Sequence, residues 1–512
     1  MGTQHVERAS GIVASVANAS SRRWLDLLTA SAVFGIPFYL FNNLILYHFY
    51  IQGGLLIDTG LLGSLMWRIA PSLPVPPWYG EGSFFAVHIA PLMLLVSAAS
   101  EVLPLTMPQT FAAFVGICHG LLALAIFALL ASGGGVRHGL TLLLAALASI
   151  GFACTGLALA IALFPHFEMF GVACLLLSFA ALARERWTLG AVWFLLALFT
   201  REDVGLHAFV FLSLWAAANW RRDVPWRRNR WIVCFAFAGL FYSAFVMLGQ
   251  RLVFPGQSTF IAVYVGDPPF GHLSWQRIAT RLQGWAEVHT SSIALPALGV
   301  VAWTFWKRDP VVLFGYIACI PWAILQLLSV REFSGVMLGY YAYPFVIAIA
   351  WPLIAGRIRP QQPGPPGVLW GPAVGMLALV ALSLAPIGHV YNLANIPLPR
   401  AMLFPPSSTQ QLATDRAVAA LVAAPPALGR LLVDDSVAAL QPFSFTRRDI
   451  ALLAKARSNT VAYFQHGMLA ASLRDRANLV HHYIVPGAEI RIDTDRSPDA
   501  MQSLGILLEP AP

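Results

Sequence analysis

The chain has 512 residues, of which 58% are hydrophobic and only 11% are charged, and its mean hydropathy is +0.68. A soluble domain carries roughly 25% charged residues, so this composition excludes a disordered chain, a coiled coil and a typical cytosolic enzyme. The 32 basic and 24 acidic residues give a net charge of +8. On so apolar a chain this excess indicates membrane topology rather than a nucleic-acid partner. We therefore expect a polytopic membrane protein with membrane lipids, and no nucleic acid, as partners.

The first apolar segment runs from Trp24 to Leu46 and follows a polar segment, residues 1–23, that ends in Arg22 and Arg23. It is too long for the core of a signal peptide, so we expect an uncleaved first membrane helix. Further apolar segments near the ~20 residues that a bilayer requires begin at or near residues 84, 108, 139, 167, 187, 203, 231, 291, 310, 335 and 368.

Basic clusters decide which of these segments cross. The clusters are Arg22/Arg23, Arg137, Arg184/Arg186, Arg221 to Arg230, Lys307/Arg308 and Arg357/Arg359. The positive-inside rule places all of them on the cytoplasmic side only if the stretch from Phe84 to Pro104 does not cross. We therefore expect an all-α polytopic membrane protein whose residues 24–390 form about eleven transmembrane helices and one re-entrant or interfacial helix. Residues 1–23 would be a cytoplasmic N-terminal segment.

The composition changes after Tyr391. Charged residues become more frequent, proline-rich breaks appear, and short apolar runs such as Leu431–Val433 and Tyr483–Val485 alternate with polar helical stretches. Short apolar runs between turn signals are typical of strands. This pattern predicts a small α/β domain over residues 391–512, on the outer face of the membrane.

Acidic and histidine side chains gather in the predicted outer turns. They are Asp58, Glu81 and His88 in the first turn, His166 and Glu168 in the second, and Glu202 and Asp203 in the third. Such groups can act as a base, bind a substrate or hold a divalent cation such as Mg²⁺ or Mn²⁺; if a metal is bound, Asp58, His166 and Glu168 would be its ligands. Structural alternatives stay open: Asp58 as a helix cap, Glu168 at a helix N-terminus, and Arg201 paired with one of the acids that follow it.

The loop 251–290 is long and aromatic. From Trp275 to Trp285 apolar residues recur at helical spacing, and Arg277 and Arg281 lie on a neighbouring face. This pattern predicts an interfacial amphipathic helix, which would anchor the chain at the headgroups. The alternative is that Arg277 and Arg281, or Arg331 in "SVREFSG", hold a lipid phosphate.

Four sequence pieces in order carry a family resemblance: "IDTGLLGSLMW", "FFAVHIAPLMLL", "PHFEMFGVACLLLSFAAL" and "ALFTREDVGLHAFV". Together they resemble the bacterial membrane-protein family called domain of unknown function 2079. That family is similar in outline to the GT-C glycosyltransferases, which take a sugar from a polyprenyl-phosphate carrier at the outer leaflet and use an acid of the first outer loop as base. The resemblance implies a GT-C-like protein of the bacterial inner membrane, with a cytoplasmic N-terminus and an extracytoplasmic C-terminal domain.

The resemblance also implies roles for single residues. Asp58 would be the catalytic base, with Glu202 and Asp203 as further catalytic acids lining the cavity. By the resemblance, His166 and Glu168 would support the substrate site in the second loop. The residue pattern itself adds Glu81, His88, Arg277, Arg281 and Arg331 as candidate substrate-binding residues. Two positions depart from the family's pattern, since Gly63 and Phe164 stand where acids are usual. A metal-independent transferase tolerates this better, because one carboxylate can deprotonate an acceptor hydroxyl.

Three functions therefore stay open. The first is a glycosyltransferase-like enzyme that moves a sugar from a polyprenyl-phosphate carrier to an envelope acceptor. The second is a transporter or flippase of a lipid-linked solute, which predicts discontinuous helices and buried charges. The third is a non-catalytic membrane scaffold.

Overall fold

The computed structural model of the protein describes residues 3–67, 70–131, 139–255, 261–358, 398–424, 426–451, 458–465 and 479–511. The membrane segment predicted near residue 368 and the predicted domain boundary at residues 390 and 391 lie outside the described residues.

The described part is mainly helical. The α-helices before residue 360 are α1 (Thr3–Tyr47), α2 (Leu62–Trp67), α3 (Pro91–Val102), α4 (Met107–Ala131), α5 (Gly139–Ala153), α6 (Gly156–Leu163), α7 (Glu168–Leu182), α8 (Trp187–Leu198), α9 (Val204–Arg221), α10 (Trp226–Val253), α11 (Trp275–His289), α12 (Leu295–Lys307), α13 (Phe314–Leu327), α14 (Glu332–Gly335) and α15 (Pro344–Ile358). Those after residue 397 are α16 (Leu398–Leu403), α17 (Ser408–Val422), α18 (Asp435–Ala438) and α19 (Pro498–Gln502).

Shorter helical turns connect these elements. The π-helical turns are His48–Gly53, Leu56–Leu61, Ile261–Val265 and Thr290–Ala294, and the 3₁₀ turns are Phe84–Ala86, Pro310–Leu313, Gly339–Ala342, Pro426–Leu428 and Pro442–Ser444.

Five helical stretches of the described chain are long and apolar enough to cross a membrane. They are Trp24–Gly53, Met107–Ala131, Trp226–Val253, Trp275–Trp306 and Pro310–Leu327. Two bent pairs, Leu140–Ala153 with Gly156–Leu163 and Glu332–Ala342 with Pro344–Ile358, raise the number to seven if each pair is one span. The described residues therefore have the helices of a multi-pass membrane protein, and the predicted number of about eleven is not confirmed.

Two predicted segments differ in extent from what the structure shows, and the prediction for a third stays untested. Helix α1 begins at Thr3, so the polar segment 1–23 largely continues the first membrane helix. The helix predicted to lie at the interface from Trp275 runs on to Trp306 as one candidate span, because Pro296 falls in the first turn of α12, where a missing N–H is tolerated. Helix α3 has 12 residues, or about 18 Å, and its not crossing stays a prediction.

Helix α4 is the centre of the helical packing and lies against both α1 and α7. Its Gly116 and Gly120 face Phe38 and Phe34 of α1 so closely that a Cβ on either glycine would come within 3 Å of a carbonyl oxygen of α1. Small residues four apart allow two helix backbones to approach in this way. This contact fixes the outer end of α1, from which the first outer loop departs.

The five strands of the described residues form one mixed sheet in the order β1-β2-β4-β3-β5. The strands are β1 (Leu431–Val433), β2 (Thr460–Phe464), β3 (His481–Ile484), β4 (Ile490–Thr494) and β5 (Glu509–Pro510). Strands β1 and β2 are parallel, and the other pairs are antiparallel. Every residue of β2 is buried, as expected for a strand covered on both faces. The sheet lies within the segment for which the sequence predicts an α/β domain.

The C-terminal segment that carries the sheet packs directly on loops of the helical part. Arg447 donates hydrogen bonds to the carbonyl oxygens of Trp78 (2.7 Å) and Tyr79 (3.0 Å). Gln109 of α4 donates to the side chain of Gln411 in α17 at 3.1 Å. The first outer loop is thus held between the helices and the sheet.

Candidate active site

A cavity of about 740 Å³ lies where the first outer loop, the starts of α7 and α9 and the end of α10 meet. A volume of this size is typical of sites for small organic ligands. The polar residues that line it include Asp58, His88, His166, Arg201, Glu202, Asp203, Arg251, Arg331, Tyr340 and Tyr341. Its apolar wall includes Leu61, Leu206, Met247, Phe254, Trp322 and Leu325.

Asp58 is presented to the cavity by an unusual backbone. It lies in the π-helical turn Leu56–Leu61, in which the amides of Thr59 and Gly60 both donate to the carbonyl of Leu55. Turns of this kind recur at functional sites. The cap position of the turn is held by Leu55, so Asp58 is not a helix cap here. Its carboxylate makes no hydrogen bond or ion pair with a described residue.

Burial raises the pKa of Asp58 to about 6. The neighbouring His166 lowers this pKa, and Glu168 raises it. A carboxyl group whose pKa lies close to neutral can accept a proton and release it again. Asp58 therefore combines a free carboxylate with the protonation behaviour of a general base.

His166, Glu168 and Arg201 form a chain of bonded side chains beside Asp58, in which Glu168 and Arg201 are buried. Glu168 is fully buried; its Oε2 bonds to Nδ1 of His166, and its Oε1 accepts from Nη1 of Arg201. The His166 ring is stacked on Tyr340, with ring centres 4.0 Å apart. The second outer turn thus brings His166 and Glu168 together, with Arg201 as a third member, and Glu168 is also the first residue of α7, the structural alternative that the sequence left open.

Arg201 also holds Asp203. Its Nε donates to Oδ1 of Asp203 at 2.6 Å, and its Nη2 to Oδ2. Burial raises the pKa of the Asp203 carboxyl, but the Arg201 guanidinium outweighs burial and holds that pKa at about 2. Asp203 therefore lines the cavity as the structural partner of Arg201, the alternative that its sequence left open.

The residues named as conditional metal ligands do not fit a metal ion. Both carboxylate oxygens of Glu168 and the Nδ1 of His166 already have protein partners. No group of three or more His, Cys, Asp and Glu side chains in the described part of the chain is arranged to hold a metal. We therefore derive no step of the chemistry through Mg²⁺ or Mn²⁺.

Glu202 is held in place by the first outer loop. Its Oε1 lies 2.8 Å from Nδ1 of His88, and its Oε2 accepts from the backbone N–H of Ile89 at 2.9 Å. These contacts join His88 to Glu202, two residues 114 positions apart that the sequence could not pair. Glu81, in contrast, is exposed and does not belong to the described lining of the cavity.

The three predicted phosphate-binding arginines separate into two groups. Arg277 and Arg281 bond to Glu332 and to backbone carbonyls of residues 327–331, and neither lines the cavity. Arg331 is exposed and lines the cavity. Its guanidinium makes no ion pair with a described carboxylate.

Arg251 was missed by the sequence reasoning. It lies in the last turn of α10, lines the cavity near Gln250, and makes no ion pair with a described carboxylate. The signal was present, since a lone arginine at the outer end of an apolar helix departs from the positive-inside rule. Tyr340 and Tyr341 were also missed, and their aromatic run "YYAY" alone gives no sign that it meets the second outer turn.

No family model and no curated protein matches the chain, so the predicted membership in the family of unknown function 2079 is not confirmed. Among solved structures, the chain is similar to the crystal structure of ArnT from Cupriavidus metallidurans bound to undecaprenyl phosphate. The match has 12% sequence identity and a TM-score of 0.46, and it covers 94% of this chain and 99% of that chain.

Proposed function

We propose that the chain is an integral membrane enzyme of the GT-C type, which transfers a sugar from a polyprenyl-phosphate carrier to an acceptor at the outer face of a bacterial inner membrane. The observation that carries the proposal is the combination found in one cavity: a free carboxylate, Asp58, and two arginines without a carboxylate partner among the described residues, Arg251 and Arg331. A base and an anion-binding pair are what transfer from a phosphate carrier needs.

The apolar wall supports a lipid carrier in particular. Met247 and Phe254 extend along the outer end of α10, and Leu325 lies at the end of α13, both helices being candidate membrane spans. A prenyl chain placed against these side chains would stay in an apolar environment, while its phosphate reaches Arg251 and Arg331.

The chemistry then needs no nucleotide. Asp58 accepts the proton of the acceptor hydroxyl as the acceptor oxygen bonds to the anomeric carbon of the sugar. The bond between that carbon and the phosphate oxygen breaks, and polyprenyl phosphate leaves with the bonding electron pair. Arg251 and Arg331 stabilise the charge that develops on the phosphate. Glu202 orients His88 beside the acceptor, and the chain of bonded side chains from His166 to Arg201 keeps the second outer turn in place.

A flippase for the same lipid-linked ligand is a second candidate. Two features favour it: the two bent helix pairs, with breaks of 42° and 44°, and the buried charges of Glu168 and Arg201 near them. Discontinuous helices beside buried charges are common in transporters. A flippase would move the ligand without consuming its sugar, so an assay of sugar transfer separates the two functions.

The test uses the full chain in lipid nanodiscs and in cells. Native mass spectrometry with added undecaprenyl phosphate should show a bound lipid, and in a strain whose envelope glycans depend on this protein Asp58→Asn should abolish the glycan at an unchanged protein level. The matched control is Asp499→Asn, which removes an exposed acid of the C-terminal domain and should complement fully. Full complementation by Asp58→Asn would overturn the catalytic role.

A further inference from the structure

The C-terminal domain touches the backbone of the first outer loop on both sides of Asp58. On the N-terminal side, Gly53 adopts a left-handed conformation (φ +89°), and a Cβ built on it would lie 2.5 Å from the Cβ of Ser436 in α18. No side chain other than hydrogen fits in that space. The close contact with Ser436 therefore requires glycine at position 53.

On the C-terminal side of Asp58, Gly60 makes the same kind of contact. A Cβ on Gly60 would lie 2.8 Å from the Cα of Ala439, the residue that follows α18. Between these two contacts lies Asp435 of α18, whose pKa is raised by burial and lowered in part by the backbone of Leu56. Helix α18 and the residue that follows it thus contact the chain before the π turn of Asp58, at Gly53, and within that turn, at Gly60.

Hydrogen bonds of Asp434 connect α18 to the sheet. Asp434 is fully buried and caps α18 by accepting from the amide of Val437 at 2.8 Å. Its own amide donates to the carbonyl of Ala462 in the buried strand β2 at 2.9 Å. The short helix is therefore joined to the buried strand β2 through the residue that caps it.

We infer that α18, through Ser436, Asp435 and Ala439, is a positioning element that sets the backbone of the Asp58 turn, so that the outer domain is part of the catalytic apparatus. As a statement about catalysis this rests on the proposed function. The contacts themselves predict something measurable without catalysis: a shift of α18 should change the surroundings of the Asp58 carboxyl.

The experiment reads Asp58 directly. The full chain in nanodiscs is treated with a water-soluble carbodiimide and glycine methyl ester across a pH series, and modification of Asp58 is followed by peptide mass spectrometry. Carbodiimides react with protonated carboxyls, so the wild-type midpoint should lie near pH 6. In Gly53→Ala the displaced turn is more hydrated, and the midpoint should move by about one pH unit or more toward the ordinary value near 4.

A size swap tests whether the contact itself is responsible. The double variant Gly53→Ala with Ser436→Gly removes the clashing Cβ and Oγ but not the strain of alanine in a left-handed backbone, so it should recover part of the wild-type midpoint. Gly82→Ala is the matched control, because Gly82 also has a left-handed backbone (φ +105°) and nothing lies within 4 Å of a Cβ there, and its midpoint should not change. Ala439→Val, which adds bulk against Gly60, replaces Gly53→Ala if that variant does not fold.

The outcomes separate the two proposals. An unchanged midpoint in folded Gly53→Ala or Ala439→Val, or a double variant that recovers nothing, overturns the positioning role. A shifted and rescued midpoint in a protein that binds no undecaprenyl phosphate upholds the positioning of Asp58 and counts against the proposed function alone. In cells, the glycan should fall in Gly53→Ala and return in part in the double variant, as Asp58 is displaced and partly restored.

Discussion

Arg201 donates a hydrogen bond to Glu168, a residue 33 positions earlier in the chain, and both side chains are buried. The pair joins the second and third outer turns, and Arg201 also forms an ion pair with Asp203. The acids of these two turns thus have partners inside the protein. Asp58 is the acid of the cavity lining that keeps a free carboxylate among the described residues.

The Glu168–Arg201 pair should matter to stability. Removing one partner of a buried pair typically costs roughly 3–5 kcal/mol, so we expect Glu168→Ala to lower the unfolding temperature strongly. Glu168→Gln should lower it less, since the amide oxygen can still accept from Arg201. Glu185→Gln breaks an exposed pair with Arg228 (3.3 Å) and serves as control, with an expected cost of about 0–1 kcal/mol. Equal unfolding temperatures for the three variants would contradict the prediction.

The buried position of Asp58 predicts a pH-dependent gain in stability for Asp58→Asn. Because the folded pKa, about 6, lies above the ordinary value, the proton is bound more tightly in the folded state, and this contribution to stability is lost as the pH rises through 6. Wild type and Asp58→Asn should unfold at similar temperatures at pH 4, and the variant at a higher temperature at pH 8. Thermal unfolding in detergent measures both. A difference that does not grow with pH would show that the carboxyl is well hydrated.

Arg251 and Arg331 should determine the affinity for the lipid phosphate. A hydrogen bond to a charged group contributes about 1.5–3 kcal/mol, so Arg251→Gln and Arg331→Gln should each raise the Kd for undecaprenyl phosphate by about tenfold or more. Arg186→Gln removes an exposed arginine that precedes α8 and does not line the cavity, and its Kd should stay at the wild-type value. Titration by native mass spectrometry gives the three constants. Unchanged affinity in both cavity variants would place the phosphate elsewhere.

Arg281 and Arg277 should contribute differently to the stability of the protein. Arg281 is fully buried and donates to the carbonyl of Leu327 at 2.7 Å, at the end of α13. Arg277 is partly exposed and donates to the carbonyl of Val330 at 2.6 Å. Arg281→Leu should therefore destabilise the protein more than Arg277→Leu, by about 1–3 kcal/mol, because it leaves the carbonyl of Leu327 without its donor. The opposite order in thermal unfolding would show that the segment before Arg331 depends mainly on the exposed arginine.

Part of this site was predictable from the sequence, and the reason is local. Asp58, the His166–Glu168 pair and the run from Arg201 to Asp203 stand at the ends of apolar segments, and few charges occur elsewhere in the membrane domain. Arg277 and Arg281 show the limit of this reasoning. Their spacing predicted an interfacial helix and left a phosphate site as the alternative, but their partner Glu332 follows more than 50 residues later, and periodicity within one helix carries no information about it.

The sequence by itself determined that the chain is a multi-helix membrane protein with charges placed at the helix ends, because burial in lipid restricts composition residue by residue. Only the tertiary structure decided which of those charges are free. Arg201 pairs with both Asp203 and Glu168, His88 meets Glu202, and the C-terminal segment meets both flanks of Asp58 through contacts between distant segments. Such contacts depend on how helices and sheet pack, which neither hydropathy nor spacing encodes.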